Sequence, residues 1–247
     1  MKTMKSKITM LFAIVLFAIA LVPVTKVEAA QATPSGITLY NQSKSRIQII
    51  WNFDQNILSY MNSDNYLDYD CGYEVEFYTL KNKKFASYNS TKNSNMGTLQ
   101  GNDSKFGIDV SNSKFKNAGY IIKVRSFYST DGTNYNYSKW AQKVIVPRAA
   151  IKNVKKASGT KMKVTWSKVS GAKNYTLYIS KNGKSFKKVT TTTKTSATTK
   201  TLTKYQNYYY YVQANGVKYK KKKYNSTKPS QKTANVVGPY YIYTYVK

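Results

Sequence analysis

The amino-acid sequence predicts an all-β protein built from two copies of one strand pattern. Three observations carry this. Apolar residues alternate at period two, β-branched and aromatic residues fill those runs, and turn pairs such as Asp131-Gly132, Asn182-Gly183 and Asn215-Gly216 separate them. Helical periodicity is nearly absent.

In chain order, the first residues read as an export signal rather than as part of the fold. Lys2, Lys5 and Lys7 precede an apolar run from Ile8 to Val22, and small residues surround Ala29, Ala30 and Ala32. The run is shorter than the ~20 residues of a membrane span, so residues 1–30 are expected to be a cleaved secretory signal peptide. No later segment reads as a membrane span. The next elements come in matching sets. Ile47, Ile49 and Trp51 correspond to Met162, Val164 and Trp166. Tyr73, Val75 and Phe77 correspond to Tyr175, Leu177 and Ile179. Tyr120, Ile122, Val124 and Ser126 correspond to Tyr208, Tyr210, Val212 and Ala214. The Tyr-rich end, Pro239 to Val246, reads as a last strand with alternate Tyr inside and out.

This order resembles the fibronectin type III family. The resemblance rests on a Trp in the second strand (Trp51, Trp166), a Gly/Asn-Tyr-x-aliphatic third strand (Gly72 to Val75; Asn174 to Leu177), and a Tyr opening the sixth (Tyr120, Tyr208). Leu202 lies six residues before Tyr208, as the leucine of the family's tyrosine corner does, whereas Lys114 holds that place in the first half, beside Phe115. The stretch from Ala150 to Trp166 is similar to modules of secreted proteins from low-GC Gram-positive bacteria. The resemblance implies two immunoglobulin-like β-sandwiches in tandem, residues 35–148 and 149–247. It implies adhesion, spacing or presentation, and it carries no family-wide catalytic residues. The boundary, Pro147-Arg148-Ala149-Ala150, is short and suggests limited hinge freedom.

Composition excludes several chemistries. The 247 residues contain no His and one Cys, Cys71, so the usual zinc, copper and haem ligand sets and the His-assisted nucleophiles cannot be assembled. Neither an intrachain disulfide nor a cofactor or metal is expected, and the chain reads as non-enzymatic. The net charge of +30 is unevenly divided. Residues 35–148 carry 14 basic and nine acidic side chains, whereas residues 149–247 carry 22 Lys and no acid. Only three of the 40 cations are Arg, the residue suited to bidentate base reading, so sequence-specific nucleic-acid recognition is not expected.

Three places are candidates for function. Lys220, Lys221, Lys222 and Lys223 are placed in the loop before the last strand, at the tip of the second module. Without acids to pair them, they stay solvated or meet an external polyanion. For an exported protein such polymers include teichoic acid, acidic glycans and extracellular DNA. Tyr178, Tyr209 and Tyr211 alternate with core positions and are expected to point outward as an aromatic platform, the basis of an alternative carbohydrate-binding reading. The first half has a longer connection between its Trp and third-strand Tyr, 22 positions against nine. That insertion carries Tyr60, Tyr66 and Tyr69 and has the Tyr, Asn and Asp character of adaptable binding loops, suited to a protein partner. It should neighbour the loop from Ser129 to Tyr137.

Two further features are read structurally. Asp68, Asp70 and Gly72 resemble only a fragment of a calcium loop, and Cys71 is expected to be a small buried hydrophobe. Glu74 and Glu76 share one face of a strand, a spacing near that of an inverting glycosidase pair. Lys123 and Arg125 on the neighbouring strand should pair them instead. The whole reads as a secreted, cell-surface-associated binding or adhesion protein.

Overall fold

The alternating runs become antiparallel strands in the computed structural model, which describes residues 31–43, 46–57, 70–92, 94–99, 102–111, 113, 115, 117–227 and 242–247. The expected export segment, residues 1–30, lies outside the described residues. The first half contains β1 (Thr38–Gln42), β2 (Arg46–Asn52), β3 (Asp70–Thr79), β4 (Lys84–Asn89), β5 (Met96–Leu99), β6 (Asn102–Ser111), β7 (Tyr120–Ser129), β8 (Asn136–Tyr137) and β9 (Ala141–Ile145). The second contains β10 (Ile151–Ser158), β11 (Lys161–Trp166), β12 (Asn174–Ser180), β13 (Lys187–Thr192), β14 (Ser196–Thr198), β15 (Gln206–Asn215), β16 (Val217–Tyr219), β17 (Lys222–Tyr224) and β18 (Ile242–Val246).

In the first half, β1-β2-β6-β5 form one sheet and β4-β3-β7 the other, with β8 and β9 both paired to β7. In the second half the sheets are β10-β11-β14 and β13-β12-β15-β18, and β16-β17 form a separate hairpin. The fold is therefore all-β and fibronectin III-like. Period two explains why. Ile47, Ile49 and Trp51 from one sheet meet Tyr73, Val75 and Phe77 from the other in a first core. Met162, Val164 and Trp166 meet Tyr175, Leu177, Tyr208 and Tyr210 in a second. Both cores lie within one compact unit, residues 31–247.

The repeat extends to polar detail. Tyr73 accepts the Asp54 N–H at 2.7 Å, and Tyr175 accepts the Val169 N–H at 2.9 Å. Each backbone donor lies three residues after the buried Trp of its half, so one phenol secures the same turn twice. The corner at the sixth strand is not repeated. Tyr208 accepts the Thr203 N–H at 2.9 Å. Tyr120 has a buried hydroxyl with no hydrogen-bond partner among the described residues, and packs against Phe115 at 5.1 Å between ring centroids. The phenol that loses a corner partner gains an aromatic neighbour.

The short junction between the halves, expected to leave limited hinge freedom, is enclosed and hydrogen-bonded. Residues 144–149 are all buried. Arg148 N–H donates to Gln42 Oε1 at 3.0 Å, Ala149 N–H donates to the Val212 carbonyl at 3.1 Å, and Ser226 Oγ donates to the Pro147 carbonyl at 2.7 Å. A linker whose backbone is tied to both halves has little freedom to swing.

Candidate functional site

Lysine dominates the second half's surface, and the strand registers say where it concentrates. Every described lysine of residues 149–247 is exposed. Lys155 on β10 lies directly opposite Lys163 on β11, with Lys161 two residues away on the same face. Lys218 on β16 lies directly opposite Lys223 on β17. Directly opposed residues hold their Cβ atoms within about 5 Å, where like charges destabilise the pair. Relief from within is impossible, because no acid occurs in this half. The ion pairs among the described residues, Arg46–Asp109, Lys84–Glu76 and Arg125–Glu74, belong to the first half. Sequence reasoning missed the Lys155–Lys163 pair, although the alternation of Lys161 and Lys163 with Met162 and Val164 was its signal.

The run Lys220 to Lys223 is placed differently from a free tip. Lys222 and Lys223 belong to β17, and Lys220 and Lys221 make the turn of the β16–β17 hairpin. Lys220 has φ of +52°, in the left-handed region that favours Gly or Asn. Its ammonium lies 5.5 Å from the centroid of the Tyr219 ring, a cation–π contact. The hairpin leans on the first half: Tyr219 OH donates to Asn82 Oδ1 at 3.4 Å, and Gly119 sits where a Cβ would come within 3.3 Å of Val217. The hairpin that carries the four lysines thus approaches the first half rather than standing as an isolated end.

The expected aromatic platform is corrected at its centre. Alternation is right, since Tyr211 stays out of the core. Yet Tyr211 is only 1% exposed. Tyr178 stacks on it across the strands at 4.7 Å with ring planes 7° apart, and Phe186 meets it edge-on at 4.9 Å. Burial pushes its phenol well above the ordinary value near 10, against a smaller opposing effect of Arg148. A face already stacked against a neighbouring ring offers no platform to a sugar. Tyr178 and Tyr209 remain half-buried. Tyr60, Tyr66 and Tyr69 lie outside the described residues. Where their loop enters β3, Asp70 accepts a hydrogen bond from Tyr135, so this end does neighbour the loop after β7.

Glu74 and Glu76 are both engaged in ion pairs. Glu74 and Glu76 face Arg125 and Lys123 in register. Glu74 contacts Arg125 at 2.7 Å, and the Arg125 guanidinium lies 3.8 and 4.6 Å from the ring centroids of Tyr137 and Trp140. Glu76 contacts Lys84 at 2.9 Å and accepts from Tyr78, while Lys123 sits over the Tyr78 ring at 4.5 Å. Burial would raise the Glu76 pKa, but the hydrogen bonds from Tyr78 and Lys84 and the charges of Lys84 and Lys123 lower it overall. A general acid needs the opposite shift. Gly72, read above as part of a calcium-loop fragment, has a structural task. A Cβ there would lie 1.9 Å from Ser90 Oγ, which accepts the Tyr73 N–H at 2.8 Å. Cys71 is half-buried against the first core rather than fully enclosed, and burial, then the Asp70 charge, push its thiol up to about 11. A thiol so rarely ionised is a poor nucleophile.

Among the described residues, no helix is long and apolar enough to cross a membrane. No protein-family model matches this sequence, and neither does any curated protein. Among solved structures, the chain is similar to the chicken CNTN1 FN1–FN3 domains, at 16% identity and a TM-score of 0.29, covering 75% of this chain. It spans 59% of that structure's length.

Proposed function

We propose that this chain is an exported, non-enzymatic binding protein, held by the lysine surface of its second sandwich on an anionic polymer of the cell envelope or extracellular matrix. The observation that carries this reading is the facing of Lys155 with Lys163 and of Lys218 with Lys223 in a half that contains no acid. Folding alone gains nothing from such an arrangement, because the charges repel one another and the compact state is destabilised. A polyanion laid across them relieves the repulsion and gains the release of its own counterions. Lysine rather than arginine makes these contacts point charges, which suits a polymer with repeated phosphates or carboxylates and no base sequence to read. Teichoic acid, acidic glycans and extracellular DNA share that chemistry. The basic start and apolar run of residues 1–30 support export, and the resemblance around Ala150 to Trp166 supports a Gram-positive source.

Thermal melting with inorganic polyphosphate tests the proposal. The reading expects the melting temperature to rise with polyphosphate, and to rise less in a variant carrying K155Q, K163Q, K218Q and K223Q. No rise for the parent protein, or an equal rise for both, overturns it.

A further inference from the structure

We infer that the cleft between the two sandwiches binds a small anionic amphiphile, a molecule with an apolar body and a phosphate or carboxylate head. The cleft has a volume of about 600 Å³, within the range of small-molecule sites. Its apolar wall joins both halves: Leu80 and Phe85 come from the first, Val217 from the second. Gly119 lies between them, where a Cβ would sit 3.1 Å from Leu80 Cδ1 and 3.3 Å from Val217 Cγ1. Lys81 and Lys218 also line the cleft, both exposed, and no acidic side chain lines it. Apolar surface beside two cations and no anion is complementary to an anionic head on an apolar body.

The walls are held in place. Ser170 N–H donates to the Asn117 carbonyl at 2.7 Å, beside the lining residue Ala118. Tyr219 OH donates to Asn82 Oδ1 at 3.4 Å, and these residues directly follow Lys218 and Lys81. With the linker buried as well, the cleft is formed before any ligand arrives, which limits the ordering cost of binding. The site shares Lys218 with the polymer surface but not Lys155, Lys163 or Lys220 to Lys223, and its ligand is chosen by the apolar wall as much as by charge.

Calorimetric titration of the whole protein with octyl phosphate, hexyl phosphate, 1-octanol and inorganic phosphate tests the inference. Octyl phosphate is expected to bind one-to-one. Affinity should rise by up to about fourfold for each methylene added between the hexyl and octyl compounds. Loss of either cation, in K81Q or K218Q, should weaken octyl phosphate by up to about fivefold. Filling the cleft with A118F should abolish binding. The inference is overturned if inorganic phosphate or 1-octanol binds as tightly as octyl phosphate, if chain length has no effect, or if both K81Q and K218Q leave the affinity unchanged. The two lysine variants alter only exposed side chains, so the result does not hang on whether A118F folds. Failure of the polyphosphate test alone leaves this binding intact, and failure here leaves polyphosphate binding intact.

Discussion

Lys218 and Lys223 face each other directly across the β16–β17 hairpin, one strand apart and with no acid anywhere in their half of the chain. The same relationship recurs between Lys155 and Lys163 on the β10–β11 pair. Introducing an acid at one of these positions should therefore stabilise the protein. K163E converts a repulsive cross-strand pair into an attractive one, a gain of up to about 1 kcal/mol at low ionic strength. Urea unfolding in ~10 mM and ~1 M salt checks this: the gain should shrink at high salt, because the Debye length falls from about 30 Å to about 3 Å.

The hairpin turn gives a test separate from charge. Lys220 adopts φ of +52°, whereas the neighbouring Lys221 is not among the residues with positive φ. K220N and K221N each remove one cation, but only K220N places a residue that tolerates the left-handed region where it is needed. K220N should melt higher than K221N by a few degrees, the shift expected for about 1 kcal/mol in a fold of this size.

The two sixth-strand tyrosines should respond oppositely to losing their hydroxyls. Y208F strands the Thr203 N–H and should cost about 1–2 kcal/mol in chemical denaturation. Y120F removes a buried hydroxyl with no partner among the described residues and should be neutral or stabilising. Burial also holds the Tyr120 phenol well above its ordinary value of 10. Its contribution is therefore intact below pH 10 and falls as pH rises beyond it, since the unfolded chain ionises first. The Y120F advantage should widen above pH 10, and the lysine titrations common to both proteins cancel in the comparison.

At acid pH the sign is reversed for Glu76. Its folded pKa is lowered from the ordinary 4.5. The stability it contributes is present above that value and is lost as pH falls through the lower folded one. Denaturation midpoints of the parent and E76Q should differ at neutral pH and converge on acidification.

How much of this was legible in the sequence depends on how local the cause is. Strand faces were legible, because period two puts Tyr208, Tyr210 and Val212 in the core and sets Glu74 and Glu76 opposite Arg125 and Lys123. The burial of Tyr211 was not. Its cover includes Phe186 and Tyr178, residues distant in sequence whose approach is decided by the strand pairing. The Lys220–Lys223 hairpin was hidden because its turn lacks the Gly or Asn that a positive φ usually recruits. The clamped junction was hidden because Gln42, Asn82 and Asn117 give no sign in the sequence of facing the second half.

Retention of the whole protein on purified bacterial cell wall, beside a neutral polysaccharide, across a salt series from about 50 mM to about 1 M tests the central claim most directly. Electrostatic anchoring predicts retention on the wall alone, with log affinity falling linearly against log salt and release complete by about 1 M. Undiminished retention at about 1 M salt, or equal retention on the neutral polysaccharide, would contradict it.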